Sequence, residues 1–461
     1  MKDEGAKPKF LIVGVALAIA VYLGMRAAGI EYVIAVTAAI TALTAVYWIT
    51  EALSIPVTSL IPIVAFPLFG VLSFNDAASG LGNHAIILLM GGFMMAKGLE
   101  KSGVHRRMAL GILQAVGAQG GKRIVLAFML TSALLSMWIS NTATALMLMP
   151  IAIAVLGHLK DDRLNAPVVL GIAFACNVGG IATLVGTPPN VIFAGVYQTT
   201  VGVEFSFLEW MRLGLPVVLI GLPIIALWLT RNVEATGKVE LPKPDQWQVE
   251  EKRVLAVFLA TVFLWIFRSE PFGGWSALIG GSLAGDSTVA LMSVLAMFLI
   301  PSGRGNGDHL LTWKWAGDIP WGMLLLFAGG ITVAKAFQVS GLAELVGAGV
   351  ANTVTLPPYL LILAICLSVT FLTEMTSNTA TTTLLMPILA ATAVATNVPP
   401  ELLMIPAAMS ASCAFMLPVA TTTNAIAYGS GNVTVKQMAK EGFALNLIMA
   451  FVISGVCYFL L

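Results

Sequence analysis

Two short polar stretches, Ser140-Asn141-Thr142-Ala143-Thr144 and Ser377-Asn378-Thr379-Ala380-Thr381, lie 237 residues apart in long apolar segments. Each is followed by a Met-Pro pair, Met149-Pro150 and Met386-Pro387. Asn and Thr both donate and accept hydrogen bonds, so such a set can hold an anion through N–H and O–H groups or a bare cation through oxygens. Two further stretches carry the same chemistry in backbone form. Gly186-Thr187-Pro188-Pro189-Asn190 and Ala420-Thr421-Thr422-Thr423-Asn424 each interrupt an apolar span. Glycine closes a helix and proline opens one. Each interruption therefore reads as two half-helices meeting, with free N–H groups on one and free carbonyls on the other.

The elements that must carry these groups are membrane spans. The chain has 461 residues, 58% hydrophobic and 10% charged, with a mean hydropathy of +0.92, which describes an all-α polytopic membrane protein. Its net charge of +1 points to no particular partner beyond the lipid bilayer, and neither nucleic acid nor an organic cofactor is expected. The four cysteines and four histidines are dispersed, which argues against disulfides and metal centres. Ala18-Ile19-Ala20 resembles a signal-peptidase site, but the apolar run continues past it, so a retained first helix is expected.

Apolar runs predict helices at 9–27, 31–50, 54–74 and 84–99, then an amphipathic interfacial helix at 100–119. The next segment, 124–157, runs 34 residues without a charge. A straight helix of that length would be about 51 Å long, against a bilayer core of about 30 Å. Both of its ends are basic, so it reads as a re-entrant hairpin with Ser140–Thr144 at the tip. A broken span at 165–200, a span at 211–231 and a polar linker at 232–253 follow. The second half repeats the order, with spans at 254–268, 283–301 and 320–337 and an interfacial helix at 338–352. A hairpin at 358–397, a broken span at 400–432 and a last span at 440–461 complete it.

The repeat holds residue by residue. Gly91-Gly92, Ala96-Lys97 and Ser102-Gly103 match Gly329-Gly330, Ala334-Lys335 and Ser340-Gly341 at an offset of 238. Thr187 and Asn190 match Thr421 and Asn424 at 234. Five crossings separate each element from its copy, which inverts the copy in the membrane. Inverted repeats with discontinuous helices are a signature of secondary transporters. The expected architecture is 11 transmembrane helices plus two re-entrant hairpins. With the N-terminus cytoplasmic and the C-terminus outside, only Arg26, Arg212, Arg268 and Lys335 of the 24 Lys and Arg fall outside.

The tips at 140–144 and 377–381 and the breaks at 186–190 and 420–424 can converge, and none contains Lys or Arg. An anion bound there needs compensating cations, Na⁺ or protons. A lone Ser-Asn-Thr would read as helix packing; two at matched positions favour a binding site. Gly91-Gly92 and Gly329-Gly330 read as packing contacts, Lys97 and Lys335 as snorkelling residues, and Glu51 as interfacial. Glu374 has no copy, its equivalent being Met137. It could pair with a buried donor, help hold a cation or carry a proton.

The paired Ser-Asn-Thr motifs, Gly186-Thr187-Pro188-Pro189-Asn190 and Leu417-Pro418-Val419-Ala420-Thr421 resemble the divalent anion/sodium symporter family over nearly the whole chain. That family includes bacterial Na⁺/dicarboxylate symporters and animal citrate and sulfate carriers. The resemblance implies one Na⁺ site at Ser136, Ser140, Asn141 and Gly186, and another at Thr373, Thr376, Asn378 and Ala420. It implies substrate carboxylates at Asn141, Thr142, Thr187, Asn378, Thr379 and Thr421. It further implies a homodimer in the cell inner (plasma) membrane that works as an inverted-repeat elevator-type transporter. The scaffold would comprise 1–119 and 238–352, and the transport part 120–237 and 353–461. One departure stands out: Thr422-Thr423 occupies the place where bacterial dicarboxylate carriers commonly have Pro-Pro. The implied activity is Na⁺-coupled import of C4-dicarboxylates (succinate, malate or fumarate). An exchanger or a sulfate carrier of the same fold is the alternative. A membrane-embedded enzyme is not expected, because no histidine lies near either tip.

Overall fold

The computed structural model of the protein describes residues 7–117, 120–159, 161–233, 246–270, 273–280, 284–305, 307–350 and 356–461. Residues 234–245 of the expected linker lie outside them. Among the described residues the regular elements are helices, and the one β-type pairing is an isolated antiparallel bridge between Pro301 and His309.

In the first half, α1 (Pro8–Ala27) and α2 (Tyr32–Thr50) form a pair. The run expected as one span over 54–74 is in pieces: α3 (Ile55–Thr58) and α4 (Leu60–Leu68) meet at Ser59, and α5 (Phe74–Ser79) follows. Gly70 ends α4 at φ 73°, and the Val71 N–H donates back to Phe66 O at 2.8 Å, closing the helix in the left-handed geometry glycine allows. Next come α6 (His84–Ser102) and the amphipathic α7 (Val104–Val116). The first hairpin is α8 (Gly121–Ser136) with α9 (Asn141–Leu159). The first broken span is α10 (Asn165–Gly179), one 3-10 turn and α11 (Pro188–Val201), and α12 (Phe207–Leu229) ends the half.

The second half holds α13 (Val249–Ile266), α14 (Asp286–Leu299), α15 (Trp313–Ala316), α16 (Trp321–Ser340) and α17 (Leu342–Val350). The second hairpin is α18 (Pro358–Thr373) with α19 (Asn378–Thr396). The second broken span is α20 (Pro400–Ala411) with α21 (Thr422–Gly429), and α22 (Val435–Leu460) closes the chain. Among the described residues, nine helical stretches are long and apolar enough to cross a membrane; two of them, α9 and α19, are the outgoing hairpin arms. The chain is a multi-pass membrane protein.

Three helices begin earlier than their apolar runs. α12 and α22 open on capping boxes, Ser206 with Glu209 and Thr434 with Gln437. α13 opens on Glu250 and Glu251, whose carboxylates are buried because Lys101 and Arg107 meet them at 2.7 and 2.8 Å. Polar first turns hid these starts from a reading of hydropathy alone.

The halves pack crosswise. α6 crosses α14 at Gly91, where a methyl group would stand 2.7 Å from Ala290 Cβ. α16 crosses the α3–α4 junction at Gly329, where a methyl would stand 2.6 Å from Ser59 O. The matched glycines are packing contacts, as expected, and each lets a helix of one half approach the other half closely.

Candidate functional site

Each hairpin tip begins with a buried hydroxyl. The Ser136 hydroxyl, at the end of α8, donates within a pair of acceptors: Asn141 Oδ1, in close contact, and Cys176 O at 2.8 Å. At the end of α18, Thr373 Oγ1 lies 2.7 Å from Asn378 Oδ1 and 3.1 Å from Ala411 O. A hydroxyl has one proton. In each cluster one acceptor therefore faces the hydroxyl oxygen without a proton between them, and oxygen lone pairs converge. A cation relieves that arrangement. Gly180 allows Gly186 to join the first cluster, since a methyl there would stand 3.0 Å from both Asn141 Oδ1 and Gly186 O.

The breaks are held open by matched asparagines. Asn190 Nδ2 donates to Gly180 O and Thr183 O at 2.9 and 2.7 Å. Asn424 Nδ2 donates to Ala414 O and Leu417 O at 3.0 and 3.1 Å. These two residues build the breaks. The second break has an additional support: Glu374, 3% exposed, accepts the N–H groups of Phe415, Met416 and Leu417 at 2.6, 2.9 and 3.0 Å and Asn446 Nδ2 at 2.8 Å. Of the roles open to it from sequence, pairing with buried donors is the one the geometry displays.

Both tips and both breaks line one cavity of about 920 Å³. Ser140, Asn141, Thr142, Gly186 and Thr187 line it from the first half, and Thr376, Asn378, Thr379, Ala420 and Thr421 from the second. Ser136 and Thr373 stand behind Asn141 and Asn378, fully buried. All the residues singled out in the sequence are thus brought together. Four helices start at the cavity wall, α9 at Asn141, α11 at Pro188, α19 at Asn378 and α21 at Thr422. Each N-terminus is equivalent to roughly half a positive charge. Four of them amount to about two charges, with no basic side chain at the tips or breaks.

Glu51, Lys97, Glu100 and Asp318 also line the cavity. Lys97 does not snorkel: it is 20% exposed and paired with Glu100 and Asp318, each at 3.1 Å. Glu51 is exposed at the mouth, in left-handed conformation at the end of α2. Beyond the other end of α13, Arg268, Asp286 and Glu204 do not line this cavity. Arg268 pairs with Asp286 at 2.7 Å and Glu204 at 3.2 Å. There Trp138 of the first tip stacks on Phe207 and meets Phe258 edge-on, at centroid distances of 6.0 and 5.3 Å.

Three polar residues of the site were not singled out as ligands in the sequence. Thr422 Oγ1 lies 2.6 Å from Thr142 Oγ1, joining the two halves directly. Thr423 Oγ1 donates to Asn177 Oδ1 at 2.8 Å. Asn177, 1% exposed, is the lone polar residue of the apolar run 166–182, which was the signal available for it.

A family model described as citrate transporter matches residues 45–402. The chain is 39% identical over 445 residues to the sodium-dependent dicarboxylate transporter SdcS of Staphylococcus saprophyticus, covering 92% of this chain and 85% of that one. It is 38% identical over 447 residues to the protein of the same name from Staphylococcus aureus USA300, with the same coverage. Among solved structures it resembles the Alcanivorax borkumensis YdaH transporter (TM-score 0.61, 13% identity, 83% of this chain and 87% of that). It also resembles Neisseria gonorrhoeae MtrF (TM-score 0.55, 12% identity, 86% and 85%). At those identities the structural likeness concerns the fold.

Proposed function

The chain belongs to the citrate-transporter family, as a divalent anion/sodium symporter, and on that premise we propose that it imports C4-dicarboxylates such as succinate, malate and fumarate together with Na⁺. It is a transporter and not an enzyme. The observation that carries the substrate reading is the meeting of four helix N-termini at one cavity wall, whose summed dipoles suit a dianion. The cation reading rests on the two matched oxygen clusters, Ser136–Asn141–Cys176 O and Thr373–Asn378–Ala411 O. Each has an acceptor left without a proton. Na⁺ at both clusters would cancel the charge of the dicarboxylate between them, which explains how the site manages without a lysine or arginine.

Asn141, Thr142 and Thr187 from one half, and Asn378, Thr379 and Thr421 from the other, would hold the two carboxylates by donated hydrogen bonds. Ser136, Ser140, Asn141 and Gly186 would ligate one Na⁺, and Thr373, Thr376, Asn378 and Ala420 the other. With the N-terminus cytoplasmic, Glu51, Lys97, Glu100 and Asp318 mark the cytoplasmic mouth and Arg268–Asp286 the closed outer side. The structure then corresponds to an inward-open state of an elevator working as a homodimer, the hairpins, broken spans, α12 and α22 forming the moving part. Uptake of labelled succinate into proteoliposomes tests the reading. Replacing Na⁺ by choline should stop it. Uptake that persists in choline removes the coupling, uptake that needs internal dicarboxylate makes the protein an exchanger, and preferential uptake of sulfate reassigns the anion.

A further inference from the structure

The twin lysines of the repeat, Lys97 on α6 and Lys335 on α16, have unlike surroundings. Lys97 lines the substrate cavity beside Asp318, just before α16 begins. Lys335 lines a separate pocket of about 280 Å³ beside Asn83, just before α6 begins. Among the described residues Lys335 has no ion pair and no side-chain hydrogen bond. Asp76, the carboxylate in that pocket, accepts the Ser73 hydroxyl at 2.6 Å instead. The partners of Lys97 have neutral twins. At the offset of 238, Asp318 corresponds to Gly80 and Glu100 to Gln338. Gln198 and Thr199 of α11 form another wall of the pocket. There α11 is pressed against α6 and α16: a methyl on Gly195 would stand 2.7 Å from Ile331 Cδ1 and 3.4 Å from Ala85 Cβ. The twin of Gly195 at the offset of 234 is Gly429 on α21, where a methyl would meet nothing within 4 Å.

We propose that this pocket is the shut form of the vestibule through which the anion enters, and that Lys335 draws the dicarboxylate in once α11 withdraws. The proposal rests on the reading of the chain as a dicarboxylate elevator with its N-terminus cytoplasmic, which puts Lys335 on the outer side. In an inverted repeat the two facing states exchange the surroundings of twin residues. Lys335 then lines the open cavity as Lys97 lines it here. A snorkelling lysine reaches from a helix end into the lipid interface, whereas Lys335 is half-buried in a pocket with polar walls between α16 and the moving α11. An unpaired ammonium in a cleft raises the local concentration of an anion. The two mouths would do unequal work. The inner one sets three carboxylates, Glu51, Glu100 and Asp318, against Lys97, which repels a dianion and favours its release. The outer one sets a single carboxylate against Lys335, and that one is engaged by Ser73.

The test is succinate transport by the full chain, measured from each side in right-side-out and inside-out vesicles. At low ionic strength Lys335→Gln should raise the external KM about fivefold, with the maximal rate, the internal KM and the Na⁺ dependence kept. Added choline chloride should shrink the difference from the wild type to less than about twofold, because salt screens a long-range attraction and does not repair a packing fault. Lys335→Arg, which keeps the charge, should stay within about twofold. Lys335→Cys should behave like Lys335→Gln and recover when an aminoethylating thiol reagent restores the amine, the native cysteines being buried. That rescue requires the pocket to open, and it decides by itself if Lys335→Gln does not fold. An unchanged external KM in the Gln and Cys variants overturns the proposal, as does a raised KM that neither salt nor aminoethylation corrects. An effect confined to inside-out vesicles keeps Lys335 as the capturing residue and overturns the topology. A wild-type chain that carries no succinate overturns the reading of function, and the proposal with it.

Discussion

Trp138 and Met375 occupy the same place in the two halves, two residues before the tip, and have opposite surroundings. Trp138 is clamped between Phe207 and Phe258, whereas Met375 is 82% exposed. The next matched pair behaves alike: Val185 of the first break packs where a methyl on Gly92 would stand 3.2 Å away, whereas Val419 of the second is 79% exposed. The glycines tell the complementary story. Gly92 on α6 faces Val185, at the level of the break, but its twin Gly330 on α16 faces Thr383, five residues beyond Asn378. The twin of Thr383 is Leu146, which is exposed. Each half therefore meets α6 or α16 at a different height along its helices. Five residues of helix correspond to about 7.5 Å. An inverted repeat in which the two registers exchange would carry the site across while keeping the contacts interchangeable. On the proposed elevator reading, the difference between the halves is one of position in a cycle, laid over a smaller and permanent difference in residues.

The tips themselves should not differ. Asn141→Ala and Asn378→Ala each remove an oxygen from one cluster, and both should abolish uptake while leaving a folded protein by size-exclusion chromatography. Normal uptake by either variant breaks the equivalence of the two clusters.

The permanent difference is sharpest at Glu374. Copying the first half with Glu374→Met leaves the N–H groups of Phe415, Met416 and Leu417 without their acceptor in a buried site. At about 1–3 kcal/mol for each orphaned donor, the variant should lose at least about 3 kcal/mol, read as a fall in melting temperature in detergent. The first half needs no such carboxylate. There Thr183 Oγ1 donates to Met137 O at 2.5 Å and Trp210 Nε1 to Ile181 O at 2.7 Å, which ties the break to its neighbours with neutral groups.

How much of this was readable from the chain follows from where each signal is stored. The hairpins, breaks and repeat were legible because they combine polar residues with apolar surroundings and recur at a nearly fixed offset. Asn190 and Asn424 were legible as matched residues, and the structure adds that they bind backbone. The piecewise span over 54–74 was not legible, since its break at Ser59 carries no glycine or charge. Nor were the polar starts of α12 and α13: the first is closed by its own Ser206–Glu209 capping box, and the second needs its buried partners Lys101 and Arg107 to make sense. Asn177 was visible as a polar residue, yet its partner Thr423 is 246 residues away and outside the repeat correspondence. The side on which the cavity opens depends on which twin packs at Phe258, and two equivalent sequences cannot choose.

That choice can be read with cysteines. The native Cys176, Cys366, Cys413 and Cys457 are all buried, so an introduced thiol reports alone. Met375→Cys and Val419→Cys should react with an aqueous thiol reagent from the side of Glu51 and Asp318. Trp138→Cys and Val185→Cys should react roughly tenfold more slowly, as burial in a well-packed contact requires a local opening. Conditions that turn the carrier over should raise the second pair at the expense of the first. Equal reactivity of all four under every condition would break the register argument.

The smallest effect is expected where the two halves differ by one methyl group in the packing of α6 and α16. Gly98 on α6 corresponds to Ala336 on α16. A methyl at Gly98 would stand 2.6 Å from Met297 Sδ, closer than a real contact allows. The obstructing atom belongs to a flexible thioether that can change rotamer, whereas the methyl at Gly329 would meet the Ser59 backbone. Gly98→Ala should therefore change stability by less than about 1 kcal/mol, partly offset by the lower helix propensity of glycine. Gly329→Ala should cost about 1–3 kcal/mol, because the helices themselves must separate. Thermal melts of the two variants side by side check the order; a larger loss at Gly98 would mean that Met297 is wedged as firmly as backbone.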